Sequence, residues 1–179
     1  ILSVIPQGIV CHHAINTIRA YKISPNKDDL KQFPLHDAYE RVFSDKELFV
    51  ALGLLNSIPF DYLMRSKISE NLVMYKFKES QVPRLTEGDD WFEYIWTRSA
   101  RLNCYGDEFE EMRERLDGIE PATEEDERRE LQAEIDAGVF HAYGLGKEEA
   151  EYILDNFHRV ENPRMMTENY FELVKEKYR

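Results

Sequence analysis

Residues 44–85 read SDKELFVALGLLNSIPFDYLMRSKISENLVMYKFKESQVPRL, and how this stretch is divided decides the fold class. Ser44-Asp45-Lys46-Glu47 has the spacing of a capping box, in which a Ser hydroxyl and a Glu carboxylate satisfy free amides at a helix start. Leu48, Leu52, Leu55, Pro59 and Tyr62/Leu63 follow at steps of three and four, the spacing of one helical face. Pro59 cannot donate the hydrogen bond that a helix interior needs. The helix therefore either kinks there or gives way to a second one capped by Ser57. Beyond Ile68 the helical period stops. Leu72, Met74, Lys76 and Lys78 alternate with Val73, Tyr75 and Phe77, which predicts a strand closed by Val82-Pro83.

Toward the N-terminus, Val4, Ile5, Ile9, Val10, Ile15, Thr17 and Ile18 cluster around Pro6-Gln7-Gly8 and predict a strand, a turn and a second strand. Residues 24–37 read as a loop, with Ser24-Pro25-Asn26 and Pro34. Toward the C-terminus the pattern is helical. Trp91, Tyr94/Ile95, Arg98 and Leu102 share one face. Phe109, Met112 and Leu116 share another, ending at Gly118. A further helix begins at Thr123-Glu124-Glu125-Asp126, carries Leu131, Ile135, Val139 and Ala142, and stops at Gly144, a good left-handed cap residue. Gly138 falls inside that helix, where it costs about 1 kcal/mol relative to alanine. Short helices near 147–156 and 167–178 complete the chain. The expected architecture is α+β. A small sheet with a packed helix occupies residues 1–85, and a mainly α-helical C-terminal subdomain occupies residues 86–179.

The 179 residues carry a net charge of −12, divided unevenly. Residues 1–85 hold eleven Lys/Arg against nine Asp/Glu, and residues 86–179 hold twelve against twenty-six. The first half is thus mildly basic (+2) and the second strongly acidic (−14), which suggests two functional faces. An acidic surface suited to a saline cytoplasm is the competing explanation. No apolar run approaches the roughly 18–20 residues needed to span a bilayer, so no membrane is expected. Two separated cysteines, Cys11 and Cys104, do not make a secreted disulfide framework, and a cytoplasmic location follows as the expectation. The opening Ile1-Leu2-Ser3-Val4 resembles neither an initiator nor a signal peptide and reads as an internal cut in a larger polypeptide.

Three segments carry a resemblance: ILSVIPQGIVCHHAINTI at 1–18; ALGLLNSIPFDYLMRSKIS at 51–69 running into NLVMYKFKESQVPRL at 71–85; and ERRELQAEIDAGVFHAYGLGKEEAEYILDNF at 127–157. Together they resemble the C-terminal, target-recognition region of adenine-specific DNA methyltransferases of restriction–modification and phage-defence systems. The middle segment is the most specific: Leu-Leu-Asn-Ser on a helix, then Phe-Asp-Tyr, a basic end, and a strand closing on proline. The resemblance implies a DNA-binding fragment that is itself inactive. In its parent enzyme a methyltransferase domain, with S-adenosylmethionine as cofactor, would methylate adenine N6. That catalytic domain's Asn-Pro-Pro-Tyr-type tetrapeptide is not in this sequence; Asn162-Pro163 continues into Arg164-Met165. Gly144-Leu145-Gly146-Lys147 follows no strand and reads as helix punctuation rather than a phosphate loop. No cofactor is expected in the fragment.

On this reading the partners are double-stranded DNA and the parent's methyltransferase domain. The residues placed toward DNA are Arg65 and Lys67 at the helix end, Asn71 in the loop after it, and Lys76 and Lys78 on one strand face. Arg and Lys read guanine edges or neutralise phosphates, and Asn can pair with adenine. Each also has a plainer explanation: Arg65 and Lys67 complement a helix dipole, and the strand lysines are a solvated face. Tyr75 and Phe77, opposite those lysines, are expected in the core, with Trp91 and Trp96 as core or interdomain anchors. His12 and His13 are further candidates for base or phosphate contact. With Cys11 they form the sequence's one cluster of metal-ligand type, but His36, Cys104, His141 and His158 lie at no motif spacing, and a zinc site is not expected. Two other functions fit the same residues: a DNA specificity subunit, or a protein-interaction module of a defence complex that binds through its acidic helices.

Overall fold

The computed structural model describes residues 3–4, 21–23, 39–67, 74–157 and 168–179. Among them the elements run β1 (Tyr21–Ile23), β2 (Tyr39–Arg41), α1 (Asp45–Asn56), α2 (Ile58–Lys67), α3 (Met74–Lys78), α4 (Asp90–Asn103), α5 (Glu110–Arg115), α6 (Glu125–Ala142), α7 (Lys147–Phe157) and α8 (Glu168–Lys177). A turn of 3-10 helix, Asp107–Phe109, leads into α5. The α+β expectation is therefore corrected: the described structure is helical. Its only strand pairing is a three-residue antiparallel ribbon that sets Tyr21 opposite Arg41 and Ile23 opposite Tyr39. The strand–turn–strand expected over 1–18 falls outside the described residues except for Ser3 and Val4, which belong to neither a helix nor a strand.

The strand expected at 72–78 is overturned over its described part, because residues 74–78 form α3; Leu72 and Val73 lie outside the described residues. In a strand Tyr75 and Phe77 would share a face. Instead Phe77 meets the Phe60 ring edge-on at 5.9 Å, while Tyr75 is 59% exposed. MYKFK contains no β-branched residue, and five residues of alternation fit an i, i+3 pattern as well as a period of two. The expectation of Tyr75 in the core fails with the strand.

The helices themselves start and stop for reasons visible in the sequence. The capping box forms: the Glu47 amide donates to Ser44 Oγ at 3.1 Å, and the Ser44 amide donates to Glu47 Oε2 at 2.7 Å. At Ser57 the chain turns by 58° and α2 begins, with Pro59 in its first turn, where a missing amide costs nothing. Ser57 Oγ donates to the Leu54 carbonyl and accepts from the Phe60 amide, joining the two helices. Gly144 ends α6 with φ +71°, its amide donating to the His141 carbonyl.

α6 is the axis of the packing and buries two sides. Ile135 and Val139 join Phe49, Leu52 and Leu54 of α1 and Phe92, Ile95 and Trp96 of α4 in one apolar cluster. Ala133 and Phe140 join Ile58, Ile153, Leu154 and Phe157, and Phe171 and Val174 of α8, in a second. The core therefore crosses residue 85. The buried side of α1 differs from the predicted Leu48–Leu52–Leu55 stripe: Leu52 is buried with Phe49, Val50, Gly53 and Leu54, while Leu48 and Leu55 are half-buried. Trp96 is buried and Trp91 half-buried, as core anchors should be. No single helix among the described residues is long and apolar enough to cross a membrane.

Glycine brings the helices close. A Cβ on Gly53 would stand 2.5 Å from Ile95 Cγ2 and from Ser99 Oγ, so α1 and α4 cross over bare backbone. A Cβ on Gly138 would stand 2.9 Å from the Tyr94 ring. This is why α6 tolerates a residue with poor helix propensity.

Among the described residues one carboxylate is fully buried. Asp136 lies between the two apolar sides of α6 and accepts the Ile58 amide at 2.7 Å, capping the start of α2 from a helix far away in sequence. It also accepts the Tyr170 hydroxyl, which fastens α8 to the same point. The C-terminus is held further by His141, whose ring is stacked between Trp91 (4.9 Å) and Tyr178 (4.2 Å).

Candidate nucleic-acid interface

The expected DNA-facing residues that can be placed gather where α2 ends and α3 packs against it. Asn71, His12 and His13 lie outside the described residues. The four placed cations divide into an inner and an outer pair.

Lys67 and Lys76 are the inner pair and are half-buried. Lys76 Nζ donates to the Lys67 carbonyl at 2.5 Å, placing an ammonium on the last residue of α2, where the helix dipole favours positive charge. Lys67 Nζ reaches back across α3 to Ser80 Oγ at 3.2 Å and the Glu79 carbonyl at 3.4 Å. Ser80 in turn donates to the Lys76 carbonyl at 2.8 Å and contacts Met64 Sδ at 3.0 Å. With the Phe60–Phe77 contact, these bonds pin a five-residue helix that has too few internal hydrogen bonds to hold itself. The link after α3 is tied too: Tyr143 donates to the Gln81 carbonyl at 3.1 Å, and burial pushes its phenol up to about 12, so it stays a donor at any ordinary pH.

Arg65 and Lys78 are the outer pair, and both are exposed. Arg65 is steered by Asp61, one turn back at 3.2 Å, and lies over the Phe157 ring at 5.2 Å. Lys78 extends from the free side of α3. Lys76 and Lys78 thus do not share a face as the strand reading required, because helical geometry separates them by about 200°. Tyr75 is three residues before Lys78 and so lies on its side of α3. Sequence reasoning gave no reason to expect an exposed ring here.

Elsewhere acidic side chains dominate. Glu110 and Glu111 open α5, Glu125, Asp126 and Glu127 open α6, and Glu148 and Glu149 open α7. Carboxylates in first turns complement the helix dipole, which accounts for part of the acidity. Asp45 is spent differently. Burial pushes its carboxyl up, but bonds from Arg41 and Arg115 outweigh that and leave it below the usual carboxylate range. The Cys104 thiol is buried and pushed up to about 11, which makes it a poor nucleophile. Among the described residues, no group of three His, Cys, Asp or Glu side chains is placed to hold a metal ion.

What the corner can do chemically is offer the exposed Lys78 to a phosphate on a surface fixed in advance by Lys67 and Lys76, while Arg65 is held by Asp61 and the Phe157 ring. Compared with family models, curated proteins and solved structures, the chain matches none.

Proposed function

We propose that this chain is a non-catalytic DNA-contacting unit that works beside a methyltransferase domain and meets the sugar–phosphate backbone at the α2–α3 corner. Support comes from the sequence likeness of its three segments to adenine-specific methyltransferases and from the concentration of acid in residues 86–179. The observation that carries the reading is the division of labour at the corner: Lys67 and Lys76 are used to build it, and the exposed Lys78 is left to face a ligand. Adenine N6 methylation and S-adenosylmethionine binding belong, on this reading, to the companion domain, and the assembly is cytoplasmic. A specificity subunit is a variant of the same proposal, in which the companion is a separate chain.

The test is affinity for a short duplex measured over a range of salt concentrations. With so few phosphate contacts and a net charge of −12, the chain alone should bind with a Kd of about 10⁻⁴–10⁻⁶ M. Lys78→Ala should lower the slope of log K against log salt by about one. Calorimetry with S-adenosylmethionine should give no heat of binding; stoichiometric binding would move the catalytic domain into this chain. A second reading, a protein-interaction module, is favoured by the acid-rich first turns of α5, α6 and α7. It becomes the better one if no salt-dependent DNA binding is seen.

A further inference from the structure

We infer that the Tyr75–Lys78 face of α3 takes an unpaired nucleotide, with the Tyr75 ring stacking on the base and Lys78 meeting the adjoining phosphate; this rests on the DNA-contacting reading above. The ring is 59% exposed although Phe77, two residues on, is inserted against Phe60, so α3 turns one aromatic inward and holds the other out. Tyr75 and Lys78 are at helical i, i+3 spacing, about 5–6 Å apart at Cβ, which sets a flat π-face beside a cation. That combination suits a nucleotide whose base is free of its neighbours, since every base presents a π-face and each is joined to a phosphate. An intact duplex covers its base faces by stacking, so only an unpaired, bulged or single-stranded nucleotide can occupy the ring. The helix is held in place from behind by Lys76 on the Lys67 carbonyl and by Lys67 on Ser80, so the face exists before the ligand arrives. Charge favours the same occupant: Lys78 is exposed on α3 of a chain whose α5, α6 and α7 open with carboxylates.

The experiment compares the full chain and its Tyr75→Ala, Tyr75→Phe and Lys78→Ala variants. Each is titrated against a labelled intact duplex, the same duplex with one bulged nucleotide, and the single strand. The wild-type chain should prefer the bulged duplex and the single strand by about ten-fold, within the range for one base on one ring. Tyr75→Phe should keep that preference. Tyr75→Ala should abolish it while leaving intact-duplex affinity and its salt slope unchanged. Lys78→Ala should weaken all three ligands together. A preference that survives Tyr75→Ala, or no preference in a wild-type chain that does bind intact duplex, overturns this inference alone. Failure to bind any of the three overturns the DNA-contacting reading as well.

Discussion

The middle of α6 and the corner between α2 and α3 each place charged groups where the chain is packed, and they resolve the problem in opposite ways. Asp136 is fully buried and joins three helices at once, holding the Ile58 amide and the Tyr170 hydroxyl. At the corner, Lys67 and Lys76 are half-buried and bond to carbonyls and a hydroxyl nearby in sequence, while Arg65 pairs with Asp61 and Lys78 stays in solvent. A charge placed among apolar neighbours must be satisfied completely, because water cannot make up the difference. A charge at an edge can be divided between structure and function. The difference teaches that α6 is a structural axis, and that the corner is the region with chemistry to spare.

The largest effect should follow from breaking the α6 node. Asp136→Ala leaves a buried amide and a buried hydroxyl without their acceptor and should cost about 3 kcal/mol in denaturant unfolding. A loss near zero would mean that α2 and α8 are not fastened there. Lys76→Ala removes a partly solvated bond and should cost less than about 1 kcal/mol, so the two substitutions set the contrast between regions.

Glycine substitutions sharpen the same contrast within the core. Gly53→Ala drives a methyl into Ile95 and Ser99 at 2.5 Å and should destabilise by about 2 kcal/mol despite the gain in helix propensity. Gly138→Ala meets the half-buried Tyr94 ring at 2.9 Å, a wider approach than the 2.5 Å at Gly53. The gain of about 1 kcal/mol in propensity should bring that variant close to neutral. Equal losses for the two, measured by thermal unfolding, would contradict the idea that α1 and α4 form the tighter crossing.

The smallest effect concerns Asp45, on the surface side of α1. Its folded-state carboxyl lies below the usual carboxylate range, so its stabilising contribution is fully present above the pKa of the unfolded chain. The contribution is lost as pH falls through the folded value. Both arginines are about two-fifths exposed, and screening limits the contribution to less than about 1 kcal/mol. Asp45→Asn should therefore lower stability slightly at neutral pH and flatten the acid limb of a stability–pH curve. An unchanged acid limb would remove Asp45 from that account.

Much of the helical framework was legible in the sequence. Ser44 and Glu47 announce α1, Ser57 and Pro59 mark the break before α2, and Thr123 to Gly144 bound α6 closely, because caps and breakers act locally. The error at 72–78 has an equally local cause: seven residues of alternation cannot distinguish a strand from one turn of helix, and the deciding contact, Phe60 on Phe77, is tertiary. Gly138 is a propensity fault in the sequence and a packing solution in the fold. Asp136 gave one signal, a carboxylate interrupting the apolar Ile135–Phe140 run, but its partners at positions 58 and 170 are too distant in sequence to be read. Of the expected DNA-facing residues, Lys67 and Lys76 meet where α3 packs on α2, whereas Arg65 pairs with Asp61 beside α7 and Lys78 is exposed on α3. Their division into inner and outer pairs depends on which way α3 turns, and that was hidden while residues 72–78 were read as a strand.

The central claim, that Lys78 of the corner faces DNA, is tested most directly by lysine acetylation footprinting read by mass spectrometry. Lys78 and Lys147 are both exposed, one on α3 and the other at the acidic start of α7. Adding a short duplex should protect Lys78 and leave Lys147 reacting at its free rate. Lys78 acetylated equally fast with and without DNA, or Lys147 protected in its place, would contradict the account.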